Sequence, residues 1–418
     1  MGFRRAIVRG APRRLAGGHR RYRRDHPGQL RCRRDRRDRS DRRCRARHGL
    51  AVARDAAANL VVTLPGRDPT LPAIACGSHL DSVPRGGNYD GAAGVVAGLL
   101  ALIRLRAAAP PLRRSIRLYG LRGEESAAFG RAYLGSRALF GQLTSLDLEA
   151  THAATGRPLA AAMSGVGADL AKIAAGERLL APGAIAAWLE LHIEQGPVLV
   201  ARELPVAIVT GIRGNVRHRS IECVGEAGHS GAVPRWLRRD AVFAVAELLT
   251  RLDHHWQVLL AQGHDLVMTS GMLGTDPAEH SIARIPGSVR FSFEARSQST
   301  ATLDAVHELL QEECRRVEED RGVAFRFDAR LDAAPAQMDP GWVARLQAIA
   351  ASLGLAAETM ASGAGHDAAV FANQGIPSAM IFIRNAHGSH NPNEAMAMDD
   401  FMTGVSILCR ALEAGAAA

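Results

Sequence analysis

Residues 76–94 read CGSHLDSVPRGGNYDGAAG, and no other stretch narrows the possible folds so far. An apolar run over 71–76 stops abruptly in a loop that carries His79, Asp81 and Asp90 among Gly77, Gly86, Gly87, Gly91 and Gly94. A short apolar run of this kind suits a strand buried on both faces, and open α/β sheets bind ligands just beyond the carboxyl ends of such strands. One histidine and two carboxylates on a loop of small residues suit a hard or borderline divalent cation bound through nitrogen and oxygen. Read alone, the stretch also fits a solvated Gly/Asp turn.

Downstream segments repeat the pattern of a strand followed by ligand-type residues. A strand over 115–121 runs into Gly123, Glu124 and Glu125. Adjacent carboxylates there repel unless a cation lies between them or one is protonated, and the bland alternative is a solvated surface pair. Residues 188–192, WLELH, lead into Glu194, Gln195 and Gly196. By itself His192 reads as a satisfied core histidine at least as well as a ligand. Near the end, SGAGHDAAVF precedes a strand over 377–383, which runs on to HGSHNPNEAM. Either His387 or His390 can serve there as a last ligand.

With 418 residues and 47% hydrophobic content, the chain can bury cores for two domains. The order of elements places one domain over 48–209 and 332–418, with a second domain over 210–331 inserted between. The inserted part reads strand 217–224, helix 238–254, strands 266–270 and 288–296, helix 302–319 and strand 323–327, a βαββαβ order of ferredoxin-like type. In the fourth element Val289, Phe291, Phe293 and Ala295 alternate with Arg290, Ser292, Glu294 and Arg296, so Arg296 points away from that module's core. An ordinary surface arginine is the alternative. The expected fold class is therefore α/β, a mixed sheet flanked by helices, carrying an inserted α+β domain.

Charge and cysteine usage exclude several function classes. The net +10 hides a division: residues 1–48 hold 19 arginines and 4 aspartates, whereas the remainder holds 33 basic against 38 acidic residues. The body is mildly acidic, so nucleic acid is not an expected partner. Residues 1–47 show no apolar periodicity and read as a solvated basic arm, a targeting peptide or, the favoured reading, a mis-framed start of a GC-rich gene. The six cysteines show no CxxC spacing, against a zinc ribbon or a secreted disulfide framework, and point to a reducing cytoplasm. No apolar segment has the length of a membrane span.

Six motifs in fixed order, HLDSVPRGGNYDG, GEESAAFG, LHIEQGP, AGHSG, SGAGHDA and HGSHNPNE, resemble the N-carbamoyl-amino-acid hydrolase, ureidopropionase and allantoate amidohydrolase group of the M20 metallopeptidase superfamily. The resemblance covers the chain from about His48 onward. It implies two divalent ions, zinc, manganese, cobalt or nickel, with Asp90 bridging. His79 and His192 hold one ion, and Glu125 and His390 the other, the motif selecting His390 over His387. His192 leans toward the ureido-hydrolysing branch, since peptidase branches usually place a carboxylate there. It further implies Glu124 as general base, Asp81 as the acceptor of the second His79 N–H, and His229 as an oxyanion donor. Gln195, His229, Arg296, Gly365 and His366 match the substrate-binding positions, with Arg296 gripping a carboxylate. Ala283 stands where the group often has asparagine, with His280 just upstream. The implied activity is hydrolysis of a linear carbamoyl or ureido amide on an amino-acid-like acid, with ammonia and carbon dioxide released, by a homodimer joined through the inserted domain. Allantoate hydrolysis, aminoacyl or dipeptide hydrolysis, and a binding protein on a degenerate hydrolase body are the alternatives.

Overall fold

The computed structural model describes residues 49–107 and 112–418, so the reading of residues 1–47 lies outside the described residues. Two compact units emerge: one takes the described residues up to Ile208 with Gly341–Glu358 and Gln374–Ala418, the other Val209–Pro340 and Thr359–Asn373.

In the first unit the apolar runs become the strands of one mixed sheet. Its strands include β1 (Ala51–Arg54), β2 (Leu60–Leu64), β3 (Ala73–His79), β4 (Ile116–Leu121) and β5 (Ile185–Ile193). The order is β1-β2-β4-β3-β5 and then the late strand Ser378–Ile383. β4, β3, β5 and the late strand are parallel to one another, while β1 and β2 are antiparallel additions at the edge. Every residue of β3 and of the late strand is buried, as continuous apolar runs require when helices cover both faces.

Helix α1 (Ala92–Ala107) follows the Asp90 loop and packs by backbone rather than by bulk. Ala93, Gly94, Ala97, Gly98 and Ala101 are all buried. A Cβ on Gly94 would overlap the Leu191 carbonyl oxygen and lie 2.7 Å from Ser78 Cβ, so only glycine lets the helix approach β3 and β5 this closely. The closing helix Met398–Ala417 buries Phe401, Val405, Leu408 and Leu412 against the same core. Asp399 lies in its first turn, where its charge suits the helix dipole, and Asp400 pairs with Arg384. Leu102, Ile116, Leu118, Leu189 and Ile381 are at most 1% exposed, each contributing roughly 1.5–3 kcal/mol by burial. That core fixes where the strand ends emerge.

The second unit carries the βαββαβ elements as strands Gly214–Val224, Val267–Thr269, Ser288–Ser297 and Ala324–Arg326 with helices Ala241–Ala261 and Thr300–Arg321. Pairing is antiparallel throughout, Val267–Thr269 against Ser288–Ser297, that strand against Gly214–Val224, and this in turn against Ala324–Arg326. Val289, Phe291, Phe293 and Ala295 enter its core, as their alternation requires. Asp240 caps the first helix through the Val242 and Phe243 N–H groups, which moves its start to Ala241. The stretch 359–373, counted with the first domain in the sequence reading, groups with this unit because Thr210 and Arg213 bond to Met360 and Ser362.

Candidate metal centre

Each ligand-type residue of the first unit sits at or beyond the carboxyl end of a parallel strand. His79 closes β3, His192 is the penultimate residue of β5, Glu124 and Glu125 follow β4, and His390 follows the late strand. Asp90 joins them from the loop that opens α1. The topology therefore gathers residues more than 300 positions apart at one end of the sheet.

His79, Asp90 and His192 form the buried group, and Asp90, Glu125 and His390 the more open one. In the first, the two imidazole Nε2 atoms lie 3.3 Å apart and each is 3.2 Å from Oδ1 of Asp90. The opposite ring nitrogens settle the tautomers. His79 Nδ1 is 3.0 Å from the Asp81 carbonyl oxygen and His192 Nδ1 is 2.9 Å from that of Ile193, so each Nδ1 carries the proton and each Nε2 presents a lone pair. The Gly91 N–H points at His192 Nε2 as well, at 3.3 Å. Oδ1 of Asp90 is buried with no hydrogen-bond donor. Three acceptors thus converge on one point, an arrangement that repels itself unless positive charge fills it.

Protons show the same demand. Burial alone would lower the pKa of His192, yet the hydrogen bond and charge of Asp90 outweigh it and raise the value. Burial likewise works against the Asp90 charge, but His192, His79 and Ser389 hold its carboxyl far below the usual range. Donors of this type and spacing fit a divalent cation.

In the second group His390 Nε2 lies 3.1 Å from Glu125 Oε1 and 3.5 Å from Asp90 Oδ2. Its side chain is half exposed and its backbone is left-handed, with φ at 60°. Burial raises the pKa of Glu125, with the charges of Asp90 and Asp81 adding to it and His390 and His79 opposing. Oδ2 of Asp90 also accepts from Gln195 Nε2 at 2.8 Å and from the Ser389 hydroxyl. Gln195 Oε1 is buried without a donor, and the residue is itself left-handed at φ 64°, a strained conformation of the kind that clusters at functional sites.

Asp81 corrects one expectation. Its carboxylate does not take the His79 N–H, because its own backbone carbonyl occupies that place. The carboxylate instead accepts the N–H groups of Gly123 at 2.7 Å, Glu124 at 3.3 Å and Glu125 at 3.1 Å. It thereby sets the turn that aims the two glutamates. Glu124 is 8% exposed, and its Oε2 lies 4.0 Å from His79 Nε2.

The remaining expected residues belong to the second unit. Arg296 donates to the Gly363 carbonyl at 2.7 Å and pairs with Glu294 at 3.1 Å, which ties it to the loop leading into Gly365 and His366. His366 is buried with Nε2 2.8 Å from Ser362 Oγ. His229 lies on a short ribbon opposite Arg284, and its neighbour Ser230 donates to the Ala283 carbonyl at 2.8 Å. Ala283 therefore adjoins the His229 turn. His280 bonds to Thr275.

Sequence reasoning passed over three residues. Asn385, 1% exposed, accepts from Gln195 N–H at 2.9 Å and donates to the Gly388 carbonyl at 2.7 Å, joining the Gln195 and His390 loops. Ser389 and Glu394 flank Asp90. Both stood within the HGSHNPNE motif, where the histidines alone were weighed as ligands.

A family model for Peptidase family M20/M25/M40 matches residues 75–414. The N-carbamoyl-L-amino-acid amidohydrolase of Pseudomonas sp. (strain NS671) is 30% identical over 86% of each chain. The allantoate amidohydrolase of Escherichia coli (strain K12) is 31% identical over 87% of this chain and 86% of its own. A hydantoinase/carbamoylase family amidase from Burkholderia ambifaria superposes with a TM-score of 0.82 at 32% identity, covering 96% of this chain and 94% of its own. The converging acceptors, the strand-end topology and these likenesses lead to one assignment: the chain belongs to Peptidase family M20/M25/M40.

Proposed function

We propose that the chain is a two-metal amidohydrolase that cleaves the linear C–N amide of an N-carbamoyl or ureido acid. The observation that carries this reading is the pair of donor groups sharing Asp90, with Glu124 beside His79. The amidohydrolase relatives at about 30% identity support the choice of a ureido rather than a peptide bond. Bound at these donors, a pair of divalent cations supplies Lewis-acid polarisation of a carbonyl and a water of lowered pKa. Metal identity follows availability, since imidazole and carboxylate accept zinc, manganese, cobalt or nickel.

The protein groups then have distinct tasks. Glu124 takes the water proton and returns it to the leaving nitrogen, while Asp81 holds the turn that aims it. Arg296 pairs with the substrate carboxylate, with Gly365 and His366 lining its loop, and Gln195 holds the ureido group. His229 donates to the carbonyl oxygen as charge builds. One water and one carbamoyl group, R–NH–CO–NH2, give R–NH2, carbon dioxide and ammonia.

Among the described residues no helix is long and apolar enough to cross a membrane. A homodimer through the second unit completes the proposal; exposed Trp236, Leu237 and Phe243 at 80%, 55% and 59% support such a face. The test of function is a panel of N-carbamoyl amino acids, allantoate and dipeptides, with ammonia measured. Ammonia from a carbamoyl amino acid is the expected result, and allantoate as the better substrate selects that alternative. Dipeptide cleavage without ammonia overturns the proposal.

A further inference from the structure

Glu394 is only 6% exposed, and its hydrogen bonds go to the Asp90 region from across the chain. Oε1 accepts the Tyr89 N–H at 2.8 Å and the Asp90 N–H at 3.3 Å. Oε2 lies 2.8 Å from the Ser389 hydroxyl, which also meets Oδ2 of Asp90. Gly87 makes room for this carboxyl group, because a Cβ there would overlap it. The contacts close a ring. Asp90 is held by its main-chain N–H at one end and by its carboxylate at the other, both through Glu394.

That ring governs direction. Asp90 is the one residue common to both donor groups, with Oδ1 turned to His79 and His192 and Oδ2 turned to His390. A side chain on a loop before a helix has free rotation about χ1 and χ2 unless something fixes it, and each alternative rotamer takes one oxygen away from its group. Partners that orient ligands in this way typically change metal affinity ten- to a hundredfold when lost.

We propose that Glu394 is a positioning residue that, with Ser389 as its link, aims the two oxygens of Asp90 at the two donor groups. This rests on the two-metal reading above. Ser389 has one O–H between two carboxylates, so a glutamine at 394 is an acceptable replacement: its amide oxygen receives the Tyr89 and Asp90 N–H groups, and its NH2 donates to Ser389, which then donates to Asp90.

The experiment compares wild type, Glu394→Ala, Glu394→Gln and Ser389→Ala by calorimetric titration of the metal-free chain with Mn2+ and with Zn2+. Circular dichroism and sedimentation check folding alongside. The proposal expects roughly ten- to a hundredfold weaker binding of both ions in Glu394→Ala, a smaller loss in Ser389→Ala, and rescue to within about threefold by Glu394→Gln. A folded Glu394→Ala that binds both ions as wild type does overturns it. So does a Glu394→Gln as damaged as the alanine variant, since the positioning role needs geometry rather than charge. If Glu394→Ala fails to fold, Ser389→Ala decides: unchanged affinity for both ions there overturns the link to Asp90. A wild-type chain that takes fewer than two ions contradicts the two-metal reading instead, whatever the variants do.

Discussion

The Nε2 atoms of His79 and His192 face each other at 3.3 Å, while each ring turns its Nδ1 to a backbone carbonyl. Two lone pairs and the Asp90 Oδ1 oxygen then meet at 3.2 Å. At about 4 Å, two unit charges at an effective dielectric of 20 interact by about 4 kcal/mol, so a cation at such a point is strongly favoured over none. The first consequence concerns how tightly the two rings are set.

Gly94 lets α1 touch the strands that carry both histidines. Gly94→Ala would normally strengthen a helix, but here the new methyl meets the Leu191 carbonyl, next to His192, and Ser78, next to His79. We expect a loss of about 1–3 kcal/mol in stability, with weakened metal binding. Thermal denaturation with metal titration checks this; a more stable variant with unchanged binding contradicts the close packing.

Arg296→Lys keeps the charge but not the planar fork that holds Gly363 and Glu294 together. KM for carboxylate-bearing substrates should rise at least about tenfold while metal content stays at the wild-type level. Equal damage with an uncharged substrate analogue contradicts the anchoring role.

Asp147 offers a pH prediction away from the site. Burial raises its pKa, but the Thr144 N–H, Arg137 and the Thr144 hydroxyl outweigh this and lower it. A depressed folded pKa stabilises above the unfolded value near 3.9 and loses that contribution as pH falls through the folded one. Asp147→Asn should cost about 1 kcal/mol at pH 7, and the gap from wild type should close between about pH 4 and the lower folded pKa. Urea denaturation at pH 7, 5, 4 and 3 follows it; a gap independent of pH contradicts the carboxylate's role.

A homodimer in which His229 reaches the partner's site would show complementation. If His229 serves its partner's site, coexpressing Glu124→Gln with His229→Ala leaves one intact site in each mixed dimer. With random pairing about a quarter of wild-type activity should return. No recovery in verified mixed dimers places His229 in its own chain's site or outside catalysis.

The grouping of possible donors was legible where chemistry shows in residue type. His79 and His192 end buried apolar runs, Glu125 follows one, and Asp90 lies on the loop after the first, so the strand-end rule together with the motif order brings them to one place. His390 needed the motif, because His387 lies three residues before it on the same loop and is an equally plausible ligand by residue type. Asp81 shows the limit. A carboxylate two residues from a ligand histidine suggests a side-chain hydrogen bond, yet the chain turns there so that the carbonyl, not the carboxylate, meets the ring. Asn385 and Glu394 were illegible for a related reason: each accepts from backbone N–H groups on a loop distant in sequence, and no residue pattern encodes such contacts. In the fold, strand alternation in 288–297 read directly, whereas the association of 359–373 with the second unit depends on tertiary bonds.

The most direct test of the two-metal amidohydrolase is ammonia release from an N-carbamoyl amino acid by chain stripped with a chelator and then reloaded stepwise with Mn2+, Zn2+, Co2+ or Ni2+. The account predicts no turnover by the stripped chain and recovery with at least one of these ions, complete at two per chain. Full turnover by a verified metal-free chain would contradict it.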